Sequence, residues 1–254
     1  MTERLLSFSH VAVHRGKKEI LHDISFSLQS GTVTSLIGRN GSGKTTLLRT
    51  AMGLLRHKGE ISLRDTPLRA LSPRVRSAEI GLFPQFLTAS PLSVEEFVLL
   101  GCTTRAPLFS APSENDRRCA HEALIKTSLT PFATRPLSSL SGGELRRAYL
   151  ALLLAQAPSL CLMDEPTAFL DAAARKSFYA LVRAQVTEDK SKSVLAVLHD
   201  VSDALTLSDR VLVLDDGALV FDGTPTECIE NKIPERFFGL VRHTSQETGQ
   251  CFFA

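Results

Sequence analysis

The run Gly38-Arg39-Asn40-Gly41-Ser42-Gly43-Lys44-Thr45, with Thr46 behind it, constrains this 254-residue chain more than any other feature. It has the spacing G-x-x-x-x-G-K-[ST], follows the apolar stretch Val33 to Ile37, and precedes a helical pattern predicted from Lys44 to about Leu55. Glycines let a backbone wrap closely enough to aim its N–H groups at phosphate oxygens, and the helix start behind them adds its positive end. Lys44 then supplies a full charge for the β and γ phosphates, and the Thr45 hydroxyl is a candidate ligand for Mg²⁺. A strand, such a loop and a helix in that order predict an α/β domain with a parallel sheet.

A second site element lies far downstream. Leu160-Cys161-Leu162-Met163 ends in Asp164-Glu165, so a buried strand releases two carboxylates at its C-terminal end, where α/β sheets bind ligands. Asp164 is the candidate to hold Mg²⁺ through water, and Glu165 to orient or deprotonate an attacking water. A guanine-reading N-K-x-D is absent, because Asn231-Lys232-Ile233 is followed by Pro234; adenine is the expected base.

Leu140-Ser141-Gly142-Gly143-Glu144 adds a second serine-capped, glycine-rich helix start able to meet phosphate. Together with the two motifs above, this pentapeptide resembles the signature of the ATPases of ABC transporters, and the likeness runs roughly from Leu5 to Leu240. The resemblance implies a P-loop NTPase (RecA-like) core with an N-terminal antiparallel β subdomain and an inserted α-helical subdomain. It implies that Ser141, Gly142, Gly143 and Glu144 cap the γ-phosphate of ATP held by a second copy of the chain. It also implies that Gln85, after Gly81-Leu82-Phe83-Pro84, touches Mg²⁺ or the water, that Asp171 speaks across the pair, and that His199, after Val194–Leu198, senses the γ-phosphate. Two positions depart from the family pattern. Arg15 stands where an aromatic ring often stacks on adenine, a task a guanidinium can also perform, and Leu152 stands where a basic residue is frequent.

The organisation follows from pattern and resemblance together. Residues 1–85 and 150–243 are expected to form the nucleotide-binding core with its β subdomain, residues 86–149 the helical subdomain carrying the signature, and 244–254 a tail. Ser93-Val94-Glu95-Glu96 and Ser113 with Asp116 predict capped helix starts, and Asp216-Gly217 between two apolar runs predicts a hairpin. The insert sequence Leu99-Leu100-Gly101-Cys102-Thr103-Thr104-Arg105-Ala106-Pro107, with Ser113-Glu114-Asn115-Asp116, resembles that of importers for iron-siderophore, haem and cobalamin complexes. Glu165-Pro166-Thr167-Ala168-Phe169-Leu170-Asp171 is similar to theirs as well, and the alternatives are the ATPase of a zinc or manganese importer with a generic helical insert, or of an exporter, which shares the core motifs.

The remaining composition excludes more than it identifies. A net charge of +2 and the absence of Lys/Arg blocks argue against nucleic acid as a partner. The five cysteines show no CxxC pair, which argues against a zinc site or disulfide framework and for a reducing compartment. No leader pattern opens the chain, and the most apolar stretch, Tyr149 to Met163, is too short and too interrupted to span a bilayer. The resemblance to ABC transporter ATPases, not the composition, implies the partners: integral-membrane permease subunits, a second copy of the chain in an ATP-sandwiched homodimer, and indirectly a substrate-binding protein, with the chain expected to lie peripherally at the cytoplasmic face of the inner membrane. A repair or chromosome ATPase of this kind would need sustained heptads between its motifs, and a translation factor a second phosphate loop; neither is present.

Overall fold

The structure, a computed structural model, describes residues 3–104, 111–168, 170–244 and 251–253. In chain order the first elements are β1 (Arg4–Arg15), β2 (Lys18–Gln29), β3 (Val33–Ile37), α1 (Lys44–Ala51), β4 (Lys58–Leu63) and β5 (Thr66–Pro67). They are followed by α2 (Pro73–Glu79), β6 (Ile80–Phe83), α3 (Val94–Cys102), α4 (Glu114–Lys126), α5 (Gly142–Gln156), β7 (Leu160–Asp164) and α6 (Ala172–Glu188). The last are β8 (Ser193–Val197), α7 (Val201–Leu207), β9 (Arg210–Asp215), β10 (Ala218–Gly223), α8 (Pro225–Glu230), α9 (Ile233–Phe238), β11 (Arg242–Thr244) and β12 (Cys251–Phe253). The chain divides into two compact units, residues 1–71 with 193–254 and residues 72–192.

The first unit holds two sheets. One is antiparallel, in the order β2-β1-β4-β5. Its strand β1 alternates imperfectly in sequence because it carries a bulge: the register shifts between Phe8 and Val11, and His10 takes a positive φ of 51°. In the other sheet β9, β3 and β8 run parallel, and β10 returns antiparallel to β9. Every residue of β3 and of β8 is buried, which is why β8 reads as an almost wholly apolar run and not as an alternating one, while β3 buries Thr34 and Ser35 among its apolar residues. Asp216 and Gly217 turn β9 into β10 with φ of 40° and 77°, the two positive angles that a tight primed hairpin turn requires. The segment read as a tail, 244–254, supplies β12, which pairs antiparallel with β11, a strand that begins just before it at Arg242.

Helix α1 ends at Ala51 and so falls short of the expected Leu55. Gly53 adopts φ 70°, its N–H bonds Thr50 O, and Leu54 N–H reaches back to Arg49 O, a left-handed glycine stop that the apolar Leu54-Leu55 pair obscures in sequence.

The second unit pairs β6 with β7 in parallel and builds a helical layer from α3, α4 and α5. Ser93 and Ser113 start α3 and α4 with complete capping boxes to Glu96 and Asp116, as the sequence predicts. Val94 and Val98 of α3, Ala120, Ala123 and Leu124 of α4, and Ala148 and Ala151 of α5 form one buried cluster, each set at the three- and four-residue spacing of a helix face. Small residues bring the helices close. A Cβ added at Gly101 of α3 would lie 2.4 Å from Leu152 O and 3.0 Å from Gln156 N of α5. Gly101→Ala should therefore force α3 off α5 and cost about 1–3 kcal/mol, read as a lower urea midpoint; an unchanged midpoint would show that the layer gives way freely.

Candidate nucleotide site

In the first unit the phosphate loop leaves the C-terminal end of β3 and enters α1. Gly43 caps α1 with φ 106° and no side-chain hydrogen bond, so the first-turn N–H groups are not closed off by a serine or aspartate. The loop is held tightly from beneath. A Cβ at Gly38 would stand 2.1 Å from Leu214 O, at the end of β9, and Gly217 N–H donates to Ser42 O at 3.1 Å. Lys44, only 7% exposed, folds under the loop, its Nζ donating to Gly38 O at 2.7 Å and Arg39 O at 2.9 Å. The side chain of Arg39 is held by α9, Nε to Phe237 O at 2.8 Å. Among the described residues Ser42 Oγ is buried without a hydrogen-bond partner, an orphan polar atom inside a cradle too narrow for side chains, as suits a bound anion. Asn40 and Gly41 form the exposed crest, Gly41 at φ 82°, and Thr45 and Thr46 lie in the first turn of α1.

Because β8 runs parallel to β3, its C-terminal end delivers His199 to the same sheet edge as this loop. His199 is exposed there, and Asp200 behind it caps α7 by accepting from Ser202 N–H and Asp203 N–H. Arg15 sits exposed at the end of β1, paired in register with Lys18 across the turn; His14 beside it lies 3.8 Å from Glu19.

In the second unit the parallel pairing of β6 and β7 sets Phe83 opposite Met163. Gln85 and Glu165 thus leave the same edge, and Gln85 Nε2 donates to Glu165 Oε2 at 3.1 Å. Asp164 is buried at 6% exposure, and Glu165 adopts φ 49°, a left-handed backbone that a glutamate occupies only when its surroundings hold it. One holder was missed in sequence: buried Arg146 of α5 donates from Nη1 to Pro166 O at 2.9 Å, and burial lowers its pKa. Another is Tyr149 of α5, whose hydroxyl accepts from Thr88 N–H and donates to Thr88 O, both at 3.0 Å, and so ties the segment after Gln85 to the signature helix. Neither has a sequence signal beyond its place in α5.

Ser141 caps α5 in a complete capping box. Its N–H and Oγ donate to Glu144 Oε2 at 2.8 and 2.7 Å, and Glu144 N–H returns to Ser141 Oγ at 3.3 Å. These bonds hold the Glu144 carboxyl below its ordinary range. Gly142 has open space above it, and Leu170 lies 3.8 Å from where a side chain on Gly143 would begin. Asp171 caps α6 through Oδ1 and Ala174 N–H at 2.7 Å. Phe169 and the Arg105–Pro107 part of the insert pattern lie outside the described residues. Among those described, no three His, Cys, Asp or Glu side chains gather into a metal cluster, and no helix is long and apolar enough to cross a membrane.

A phosphate loop at one strand end, an acid pair at another and a capped glycine-rich helix define the class of nucleotide-binding ATPase cassettes. The sequence model of the ABC transporter family matches residues 21–168, and the chain belongs to that family: it is an ATP-binding ATPase of the ABC type with a P-loop NTPase fold. It is 32% identical to the iron(3+)-hydroxamate import ATP-binding protein of Bacillus subtilis, over 92% of this chain and 88% of that one. It is 37% identical to the hemin import ATP-binding protein of Burkholderia ambifaria, over 88% and 89%, and 31% identical to the ferric enterobactin transport ATP-binding protein of Escherichia coli, over 89% and 83%. Among solved structures it superposes with TM-score 0.84, at 25% identity over 99% of this chain and 97% of the other, on a chain from an inward-facing metal-chelate type ABC transporter.

The lowered Glu144 pKa has a definite sign. A carboxyl depressed in the folded state stabilises above its unfolded pKa, and that contribution is lost as pH falls below about 4.5 toward the folded value. Glu144→Gln should flatten the fall in urea midpoint between about pH 5 and pH 3. A slope identical to that of the parent chain would remove Glu144 from the acid response.

Proposed function

We propose that this chain is the ATP-hydrolysing subunit of a bacterial importer for a metal chelate of the iron-siderophore, haem or cobalamin type. It works as an ATP-sandwiched homodimer on integral-membrane permease subunits at the cytoplasmic face of the inner membrane, with a substrate-binding protein as an indirect partner. The substrate class is supported by relatives named for iron-hydroxamate, hemin and ferric enterobactin transport, matched at 31–37% over most of both chains.

The residues then have these roles. Backbone N–H groups from Gly38 to Thr46 cradle the phosphates, and Lys44 exchanges its two loop carbonyls for the β and γ oxygens. The Thr45 hydroxyl, Asp164 and Gln85 are each candidate hard oxygen ligands for Mg²⁺, which when bound would neutralise charge on those phosphates. Glu165 orients and deprotonates the attacking water. Gln85 holds one of its carboxylate oxygens, which leaves the other for that water. His199 senses the γ-phosphate, and Arg15 stacks on adenine. Ser141 to Glu144 meet the ATP of the partner copy, and Asp171 acts across the pair. Closure follows because such contacts exist only in the joined pair. Phe86, 80% exposed beside Gln85, offers an apolar anchor to a loop or short helix of the permease.

Glu165→Gln should hydrolyse ATP roughly 10²–10⁴-fold more slowly while still binding it, and should accumulate as an ATP-dependent dimer in light scattering. An ATP-saturated monomer would count against the sandwich. Lys44→Ala should weaken ATP binding roughly 10- to 100-fold in a filter assay; unchanged affinity would refute its role. Purification of the tagged chain from detergent-solubilised native membranes tests the transporter reading: a many-spanning permease for a metal chelate should come with it. Soluble partners alone, over repeated preparations, would overturn that reading and leave the ATPase chemistry intact.

A further inference from the structure

Helix α3 ends on Cys102, and α4 carries Cys119. Seventeen positions separate them in sequence, yet the fold sets both side chains on one turn of α4. Cys102 Sγ donates to Asp116 O at 3.3 Å, so its sulfur lies against the backbone of the turn that begins three residues before Cys119. Side chains on a helix point back toward its N-terminus, and residues three apart share a face. Cys119 obeys that rule: its sulfur lies over the same turn, with Asn115 Nδ2 3.9 Å away. Both thiols are free and partly buried, and the flank of Cys102 packs on the cluster that joins α3, α4 and α5.

We infer that Cys102 and Cys119 form a redox-modifiable dithiol, convertible by a peroxide into a disulfide that ties the end of α3 to α4. The balance is simple. The Cys119 thiolate attacks one peroxide oxygen, the O–O bond breaks, and the thiolate becomes a sulfenic acid as hydroxide leaves and takes up a proton as water. Cys102 sulfur then attacks the Cys119 sulfur; the S–S bond forms, the S–O bond breaks, and the Cys102 proton leaves with the oxygen as a second water. Two thiols lose two electrons, and one peroxide accepts them.

The order of attack follows from the surroundings. Burial pushes the Cys102 thiol up to about 11, with Cys119 and Asp116 adding to the push, so Cys102 is the resolving partner and not the first to react. Cys161, pushed up to about 12 by burial, and Cys228, pushed up to about 11, are poor competitors. Both sulfurs rest on the turn from Asn115 to Cys119, near enough for Cys119 to act on the Cys102 thiol, and the chemistry requires neither nucleotide nor partner.

The test uses the full chain, treated with hydrogen peroxide and digested without reduction. The expected product is a peptide pair joined through Cys102 and Cys119 within one chain, lost on adding dithiothreitol. Cys119→Ser should abolish it. Cys102→Ser should leave Cys119 unresolved, so that it proceeds to the sulfinic acid that dithiothreitol does not reverse. The inference is overturned if the wild-type chain accumulates that same sulfinic acid while Cys102 stays open to alkylation, or if the disulfide joins two chains. These readouts are covalent, so they stand or fall apart from ATP hydrolysis and transport.

Discussion

The near-collision of two backbones at Gly38 and Leu214 is the constraint on which the phosphate loop depends. Any side chain at Gly38 would enter the Leu214 carbonyl, 2.1 Å away, so the loop can descend onto the end of β9 only as glycine. The descent then recruits neighbours. Gly217 of the hairpin turn donates to Ser42 O, and His22 N–H of β2 donates to Gly217 O at 2.8 Å. Gly43 lies so close to β2 that a Cβ there would meet Leu21 Cδ2 at 2.8 Å. Parallel sheet, hairpin and antiparallel sheet thus converge on one loop, and its N–H groups are aimed before any anion arrives. Such preorganisation makes an anion site effective, because little ordering remains to be done on binding.

The acid pair in the second unit is built by a different device. The phosphate loop is a glycine path through tight space, whereas Glu165 is an ordinary residue forced into left-handed backbone, a cost of order 1–3 kcal/mol. The surroundings offset it. Ala168 N–H bonds Glu165 O at 3.2 Å, Arg146 grips Pro166 O, and Gln85 holds the carboxylate itself. Arg146 and Tyr149 both project from α5, so the helix that begins at Ser141 also fixes the turn after Asp164 and the segment after Gln85.

Much of this was readable in the sequence, for identifiable reasons. Lys44, Asp164 and Ser141 are marked as candidates because each stands at the end of an apolar strand or the start of a patterned helix, and such junctions leave a mark in one dimension; Gln85 is marked only by the family resemblance. The capping boxes at Ser93 and Ser113 were readable because both partners lie within four residues. What escaped involves partners distant in sequence. The grip of Arg146 on Pro166 spans twenty residues and that of Tyr149 on Thr88 sixty-one. Cys102 and Cys119 show no motif spacing, because two helices and the joint between them bring them together. The premature end of α1 was hidden because Leu54 and Leu55 keep the apolar rhythm past the glycine that stops the helix.

The two helix starts proposed to meet phosphate differ in a way that bears on the proposed cycle. At α1 the cap is Gly43, which offers no side chain, so nothing internal competes with an incoming phosphate. At α5 the Ser141 hydroxyl and N–H both point at Glu144, an anion already seated on the positive end of the helix. A hydroxyl has one proton to donate, so Ser141 can turn to a phosphate only by releasing Glu144, and the two anions repel. On the proposed reading a phosphate at α1 displaces no capping side chain, whereas one at α5 must displace Glu144 and so needs other contacts to hold it there. On the proposed reading those contacts are the nucleotide's own bonds to the partner copy's loop. An ATP already anchored across the pair can displace Glu144, a free one gains little by doing so, and closure becomes tied to occupancy of the opposite loop.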